Sequence, residues 1–494
     1  MNGGLVQFTA ADLAAIAPEI ALASAGCLLV LLDAFLPRTR HWFATLSLAA
    51  IAASLWLLLQ SPAGTAFGGR LETSALTTIF GIFLAGSAAI AVLVAKSYLA
   101  RAGQERGEFY ALLLWGHLGV SLMTRGLDLL VIFIGLELLS LSFYVLAGFF
   151  RSVHASAEAG LKYFLTGAFA SAFTLYGIAL LFGKSGGIRI DTLSRPGLES
   201  DPIVAVGLLF LLVGFGFKMS LAPFHTWAPD VYAGMPTPAV TYLSVAPKGA
   251  SLLVLYRVLT AVFEEGLPDR FRAGIAAIAV LSMTLGNVVA LAQRDIKRLL
   301  AYSGIAHMGY LTVALVVFGK DALAAAIVYL FGYLVSNAGA FAAVAALYRD
   351  ETKPHPVALL SGEGRRSPFP AAVLALCLFS LAGIPATAGF IGKFFVFKSA
   401  IEEGGRVAGG GRIFYALALI GVVNSVISIG FYLRVVYTLY MKDSVEVDGA
   451  PPLSASDGLA LAVCGASILA LGIFPASIWN VARRAAETLP FLGP

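Results

Sequence analysis

Stretches of roughly 20 mostly apolar residues follow one another along almost the whole chain, and they leave it few folds to choose from. In hydrocarbon every backbone N–H and C=O must be bonded inside the protein, so a segment of this kind crosses a bilayer as a helix. Of the 494 residues, 59% are hydrophobic and 12% charged, where a soluble domain carries about 25% charge. The expectation is an all-α polytopic membrane protein with about 14 transmembrane helices. They fall near 13–36, 42–60, 75–96, 109–124, 128–150, 160–183, 203–227, 237–263, 271–293, 296–318, 321–348, 370–400, 411–440 and 456–482. The first segment lacks a basic leader and reads as a retained helix.

Two segments are too long for one plain helix and carry internal breaks: Ser220-Leu221-Ala222-Pro223, and Ala382-Gly383-Ile384-Pro385 through Gly389. Proline removes an N–H donor and clashes with the preceding turn. An offset of 166 residues carries Tyr144 to Tyr310, Ala222 to Ala388 and Phe224 to Phe390, so the two breaks fall in register. The chain then divides into helices 1–3 (1–108), a first five-helix repeat (109–263), a second (271–442), and a last helix with its tail (456–494). An odd number of spans per unit inverts the second copy, and inverted repeats with discontinuous helices are a transporter architecture.

Charge inside the apolar segments is the functional signal. Lys218, Lys248, Lys393 and Glu137 each lie deep in a span. An ionisable group at mid-membrane costs about 2.5–3.5 kcal/mol and usually marks an ion or proton path. Glu137 lies nine residues into its span, or ~14 Å deep at 1.5 Å per residue, and the lysines lie at a similar depth. Glu137 and Lys218 read as a pair, because a nearby carboxylate holds a lysine protonated and its withdrawal releases the proton. Lys248 reads as the next acceptor and Lys393 as the exit group. His225 and His307 are relay candidates, since imidazole titrates near neutrality; each also suits a hydrogen-bonded cap. Arg257, Lys398 and Arg434 lie toward span ends and read as snorkelling side chains. Asp230 reads as a turn or cap residue.

Other chemistry is not visible. Cys27, Cys377 and Cys464 lie in apolar segments with neither disulfide nor metal spacing. No phosphate-binding loop and no dinucleotide fingerprint occur, and GFGFKM at 214–219 lies inside a span. No cofactor and no metal are expected in this chain. The net charge of +5 is spread over many loops and gives no case for nucleic acid. The loops 37–41, 97–108, 151–159, 294–298, 349–369 and 441–455 hold the larger share of Lys and Arg, which puts both termini on the outer, periplasmic side.

The segments EAGLKYFLTGAFASAFTLYGIALLFG (158–183), FKMSLAPFHTWAPDVYAGMPTPAVTYLSVAPKGA (217–250), QRDIKRLLAYSGIAHMGY (293–310) and LAGIPATAGFIGKFFVFKSA (381–400) resemble the antiporter-like membrane subunits of respiratory complex I, the proton-translocating NADH:quinone oxidoreductase. The resemblance spans essentially the whole chain. It implies a bacterial inner-membrane subunit that moves protons while partner subunits oxidise NADH and reduce quinone. It implies as partners a neighbouring antiporter-like subunit, the small membrane subunits and, indirectly, the peripheral arm. It also implies proton-carrying roles for Glu137, Lys218 and Lys248. Members of the family differ on the broken twelfth helix, lysine in one and glutamate in another, and Lys393 matches the lysine type. Three alternatives remain on sequence alone: a subunit of a multisubunit Na⁺/H⁺ antiporter, a non-pumping membrane scaffold, and a solute carrier. Sodium prefers oxygen ligands, and a lysine-lined axis favours protons over it.

Overall fold

The computed structural model describes residues 9–264, 266–348, 353–407, 411–443 and 453–489. The two chain ends and parts of the loops 349–369 and 441–455 lie outside the described residues. The helices are α1 (Ala10–Phe35), α2 (Phe43–Gln60), α3 (Ala75–Arg101), α4 (Gly107–Arg125), α5 (Leu129–Ala147), α6 (His154–Ser185), α7 (Pro202–Met219), α8 (Trp227–Gly234), α9 (Thr237–Leu243) and α10 (Ala246–Val262). They continue with α11 (Asp269–Ala292), α12 (Ile296–Val317), α13 (Lys320–Tyr333), α14 (Gly339–Leu347), α15 (Glu363–Arg366), α16 (Pro368–Ala382), α17 (Ala388–Arg406), α18 (Arg412–Met441), α19 (Ala455–Ile473) and α20 (Pro475–Glu487). A short hairpin, β1 (Gly64–Ala66) with β2 (Leu71–Thr73), links α2 and α3.

Among the described residues, 12 helices are long and apolar enough to cross a membrane. The two remaining expected spans fall on α4 and on the broken pair α16–α17. Large apolar side chains such as Phe169, Leu209 and Leu419 point outward, while all three mid-span lysines are buried. That distribution suits a chain solvated by lipid. The helices α9–α10, α12 and α13–α14 form the almost wholly buried centre.

The helix ends follow from local sequence. Asp128 caps α5 by accepting from the Leu130 and Val131 N–H groups at 2.9 and 3.3 Å, and Asp295 caps α12 through Lys297 and Arg298 at 2.9 and 3.0 Å. Such caps satisfy donors that have no partner in the first turn. The helix α7 stops where Ser220 turns left-handed (φ 60°), and α16 stops at Gly383 (φ 90°), so both expected breaks are present.

Three features depart from the sequence reading. The span 237–263 is not continuous: it breaks at Ser244–Val245, just before Ala246-Pro247. Pro247 sits in the first turn of α10, where its missing N–H goes unneeded, and it cannot donate back to the end of α9. The span 321–348 carries a π-helical turn at Leu334–Ala338, with Asn337 Nδ2 donating to Ser244 Oγ at 2.8 Å. The last span ends at Ile473, and Pro475 starts the separate amphipathic helix α20, whose Trp479 stacks on Phe395 at 4.3 Å.

Loops gather on two faces. Leu76 N–H donates to Thr488 Oγ1 at 3.2 Å, and the hairpin meets Asp12 through Phe67 N–H at 2.6 Å, so both described ends share one face; it is called the terminus side below. There, Arg125 makes a two-pronged ion pair with Glu19 at 2.7 and 2.8 Å, and Arg257 pairs with Glu72. Arg257 is only 1% exposed, so it does not snorkel. Lys398 does remain exposed beside Glu402, and Arg434 caps α11 by donating to the Leu291 and Gln293 carbonyls.

Removing one partner of a buried ion pair strands the other, at a cost of about 3–5 kcal/mol. Arg125→Leu should therefore sharply reduce the yield of folded, detergent-extracted protein. Arg125→Met combined with Glu19→Leu should recover most of it, as read by extraction yield and thermal inactivation midpoint.

Candidate functional site

Each mid-span lysine sits beside a helix break, and each break exposes carbonyls or opens space that a continuous helix would close. Lys218 lies one residue from the end of α7. Its ammonium is enclosed by aromatic rings: Tyr163 at 5.1 Å, Tyr144 at 5.4 Å and Phe217 at 5.6 Å from the ring centroids, with Tyr163 Oη at 3.4 Å. Rings of this kind stabilise a cation through their negative faces. The freed Phe217 carbonyl accepts from Trp227 Nε1 at 3.0 Å, and Trp227 stacks on Tyr163 at 4.5 Å. Glu137, half-buried on α5, accepts from Ser171 Oγ on α6. Among the described residues Glu137 and Lys218 make no ion-pair contact; the Glu137 carboxylate acts on Lys218 through space, with a hydroxyl on the carboxylate and aromatic rings around the lysine.

Lys248 follows the Ser244–Val245 break. Its Nζ is buried with no hydrogen-bond partner and lies 5.8 Å from the Tyr232 ring. A Cβ placed on Gly304 would sit 3.0 Å from both Lys248 Nζ and Tyr333 Oη, which puts the ammonium and that unpartnered hydroxyl within about 6 Å of each other, not hydrogen-bonded. The Tyr333 ring lies 5.2 Å from His307, whose Nδ1 meets Tyr329 Oη at 2.7 Å and whose Nε2 meets Tyr432 Oη at 3.2 Å. His307 also touches Tyr310, at 5.7 Å, and Tyr310 lies under Lys393 at 4.9 Å. Lys393 Nζ donates to the Leu381 and Ala382 carbonyls at 2.9 and 3.1 Å, both freed where α16 ends.

The result is a row of neighbouring side chains across the protein: Glu137–Ser171, then Lys218–Tyr163–Trp227–Tyr232, then Lys248–Tyr333–His307–Tyr310–Lys393. Buried hydroxyls without partners recur along it, on Tyr144, Ser220, Tyr232 and Tyr333. Unsatisfied polar atoms in a buried row are where ordered water belongs.

Of the two relay candidates the structure brings in His307 and leaves out His225. His225 sits half-buried in the turn before α8, and no hydrogen bond joins it to the four charged groups. The tyrosines were missed because the sequence reading sought only charge, although Tyr144 and Tyr310 had surfaced as the matched pair of the repeat. A second buried histidine, His117, meets Tyr242 Oη at 3.0 Å and was not weighed.

Asp230 is not a loop residue. It lies in the first turn of α8 and binds Lys162 of α6 at 2.6 Å and Arg298 of α12 at 3.0 Å. This clasp borders a cavity of about 250 Å³ on the face opposite the termini, also lined by Glu158, Asp295 and Lys353. A second charged cavity, of about 340 Å³, opens on the terminus side between the start of α13 and the end of α17, lined by Lys320, Asp321, Glu402, Glu403 and Arg406. Among the described residues, no group of three or more His, Cys, Asp or Glu side chains could hold a metal ion.

Residues 126–428 match the family described as NADH:quinone oxidoreductase/Mrp antiporter, TM. A curated relative from Solibacter usitatus, named NADH-quinone oxidoreductase subunit N 1, is 38% identical over 480 residues, covering 96% of each chain. A chain of respiratory complex I from Thermus thermophilus, solved with bound aureothin, is 32% identical with a TM-score of 0.78, over 96% of this chain and 100% of that one. A chain of the Mrp complex from Dietzia shares the fold, with a TM-score of 0.82 at 20% identity over 98% of both chains.

The tightness around Lys248 can be checked directly. Gly304→Ala would press its methyl group on Lys248 Nζ and Tyr333 Oη, and overpacking of this kind costs about 1–3 kcal/mol. The thermal inactivation midpoint should fall below that of Gly274→Ala, which meets nothing within 4 Å and gains only the helix preference of alanine.

Proposed function

The chain belongs to the NADH:quinone oxidoreductase/Mrp antiporter family of membrane subunits, and from that membership we propose a function and a proton route. The protein is a proton-translocating membrane subunit of a bacterial NADH:quinone oxidoreductase, the member named subunit N. Its partners are the other membrane-arm subunits of complex I. NADH oxidation and quinone reduction take place in partner subunits, and no redox centre is assigned to this chain.

Protons move along the row from Glu137 and Lys218 through Lys248 to Lys393, with His307 as the relay between the last two. The observation that carries this reading is the run of neighbouring side chains from Lys248 past Tyr333, His307 and Tyr310 to Lys393. Imidazole and lysine exchange protons readily, and aromatic hydroxyls with water can pass them on. Charge change in a neighbouring subunit would act on Glu137, the half-buried carboxylate among the four mid-membrane charges, and so alter how firmly Lys218 holds its proton.

The two repeats supply the two entrances. Helices α6 and α13 begin at His154 and Lys320, the same 166-residue offset that aligns the breaks, and each borders a charged cavity with the half-helix that follows its break. The cavities open on opposite faces, which supports an inverted pair spanning 109–263 and 271–442. The first admits protons from the cytoplasm beside Asp230, and the second releases them beside Asp321 and Glu402. Both termini then lie in the periplasm. Three of the four mid-membrane charges are ammonium groups, which repel Na⁺ and favour protons.

In vesicles containing the whole complex, Lys218→Ala and Lys393→Met should each abolish NADH-driven proton uptake and depress coupled quinone reduction. Full activity in both variants would make the chain a scaffold. For orientation, with Cys27 replaced by Ser, a cysteine at Gly197 should react with a membrane-impermeant maleimide on intact cells. One at Gly103 should react only after permeabilisation; the reverse pattern would place the termini in the cytoplasm.

A further inference from the structure

The helix α10 carries two buried cations of different kinds. Lys248 lies near its inner end and Arg257 nine residues further out, or ~13 Å along the axis. Arg257 faces the terminus side of the first repeat, the side opposite its Asp230 cavity. Its Nη2 donates to the Glu72 carboxylate on β2, and its Nη1 donates to the Thr124 and Gly126 carbonyls at 2.8 and 3.2 Å. Glu72 is itself fixed, since its carbonyl accepts from Arg125 Nε at 3.3 Å while Arg125 grips Glu19.

A polar cavity approaches Arg257 from outside, and a buried hydroxyl lies on its inner side. From outside, a cavity of about 350 Å³ lined by Ser194, Arg195, Glu199 and Glu264 reaches Ala261 and Val262, about one turn beyond Arg257. From inside, Ser251 Oγ, one turn outward from Lys248, is buried without a partner. Ala261 at the cavity lies ~20 Å along α10 from Lys248, and Arg257 is the charged residue on that stretch.

A lysine relay joined to both faces at once would dissipate the gradient it serves. Lysine can give up its proton, whereas a guanidinium cannot be deprotonated in a protein. Paired with Glu72, Arg257 would block a route by filling it with a group that cannot pass a proton on, rather than by net charge. We propose that Arg257, held by Glu72, is the plug that keeps Lys248 from exchanging protons with the terminus side through the first repeat. The inference rests on Lys248 being a proton carrier.

The test is passive proton flux in vesicles holding the whole complex, without NADH, driven by a potassium diffusion potential and read with a trapped pH dye. Arg257→Gln should leak several-fold faster than wild type and pump fewer protons per electron, while NADH:quinone turnover continues. Glu72→Gln/Arg257→Gln, which strands no buried charge, should leak likewise. Adding Lys248→Met to Arg257→Gln should return the leak to the wild-type level. The plug is refuted by assembled variants as tight as wild type, by a leak indifferent to Lys248→Met, or by failure of both variants to assemble, which would make the pair purely structural. Lys248→Met alone, assayed for NADH-driven pumping, tests the underlying reading of Lys248 separately.

Discussion

An ammonium group in hydrocarbon costs about 2.5–3.5 kcal/mol even when it can bend toward water, and this chain holds three of them in its interior. Each is accommodated in a different way. Lys218 has three aromatic faces and a phenol, Lys393 has two freed carbonyls and a ring, and Lys248 has only a ring and a neighbouring hydroxyl. The helix breaks are part of the same solution, since each places a half-helix end next to a charge. The lysine with the poorest surroundings, Lys248, is the central one, and it has the most to gain from water or from giving up its proton.

On the proposed route this grading suits the lysines to different steps. Lys218 is caged, and Glu137, which acts on it, is only half-buried, so Lys218 suits the switching step. Lys393 is anchored to backbone, so it suits a group that holds a proton until the surroundings change. Between Lys248 and Lys393 lie His307 and the four tyrosines around it, Tyr310, Tyr329, Tyr333 and Tyr432. The ion pairs fall at the edges of the row: the Asp230 clasp on one face, and the Arg257–Glu72 and Arg125–Glu19 pairs on the other. The hydrophobic remainder holds these elements in place and keeps the path away from lipid.

Much of this was legible in the sequence. Apolar length set the helices, charge in the wrong solvent picked out the four central residues, and Pro and Gly located two breaks. What stayed hidden has specific physical causes. Pro247 lies inside an otherwise apolar run, and its break was overlooked because the run had the length of a plain span. The π-helical turn at 334–338 leaves no periodic mark. Tyrosine counts as apolar in a hydropathy profile, so the hydroxyl row around His307 could not be seen until helices far apart in sequence were packed together. Arg257 and Asp230 were misplaced for a related reason: their partners, Glu72, Lys162 and Arg298, come from distant segments.

The central claim is that four charged groups are joined by a polar path through the membrane interior. The most direct measurement is a density map of the assembled complex at a resolution that places individual waters. The account predicts ordered waters beside Tyr144, Ser220, Tyr232 and Tyr333 that close the gaps from Lys218 to Lys248 and on to His307 and Lys393. Dry aliphatic packing across either gap would contradict it.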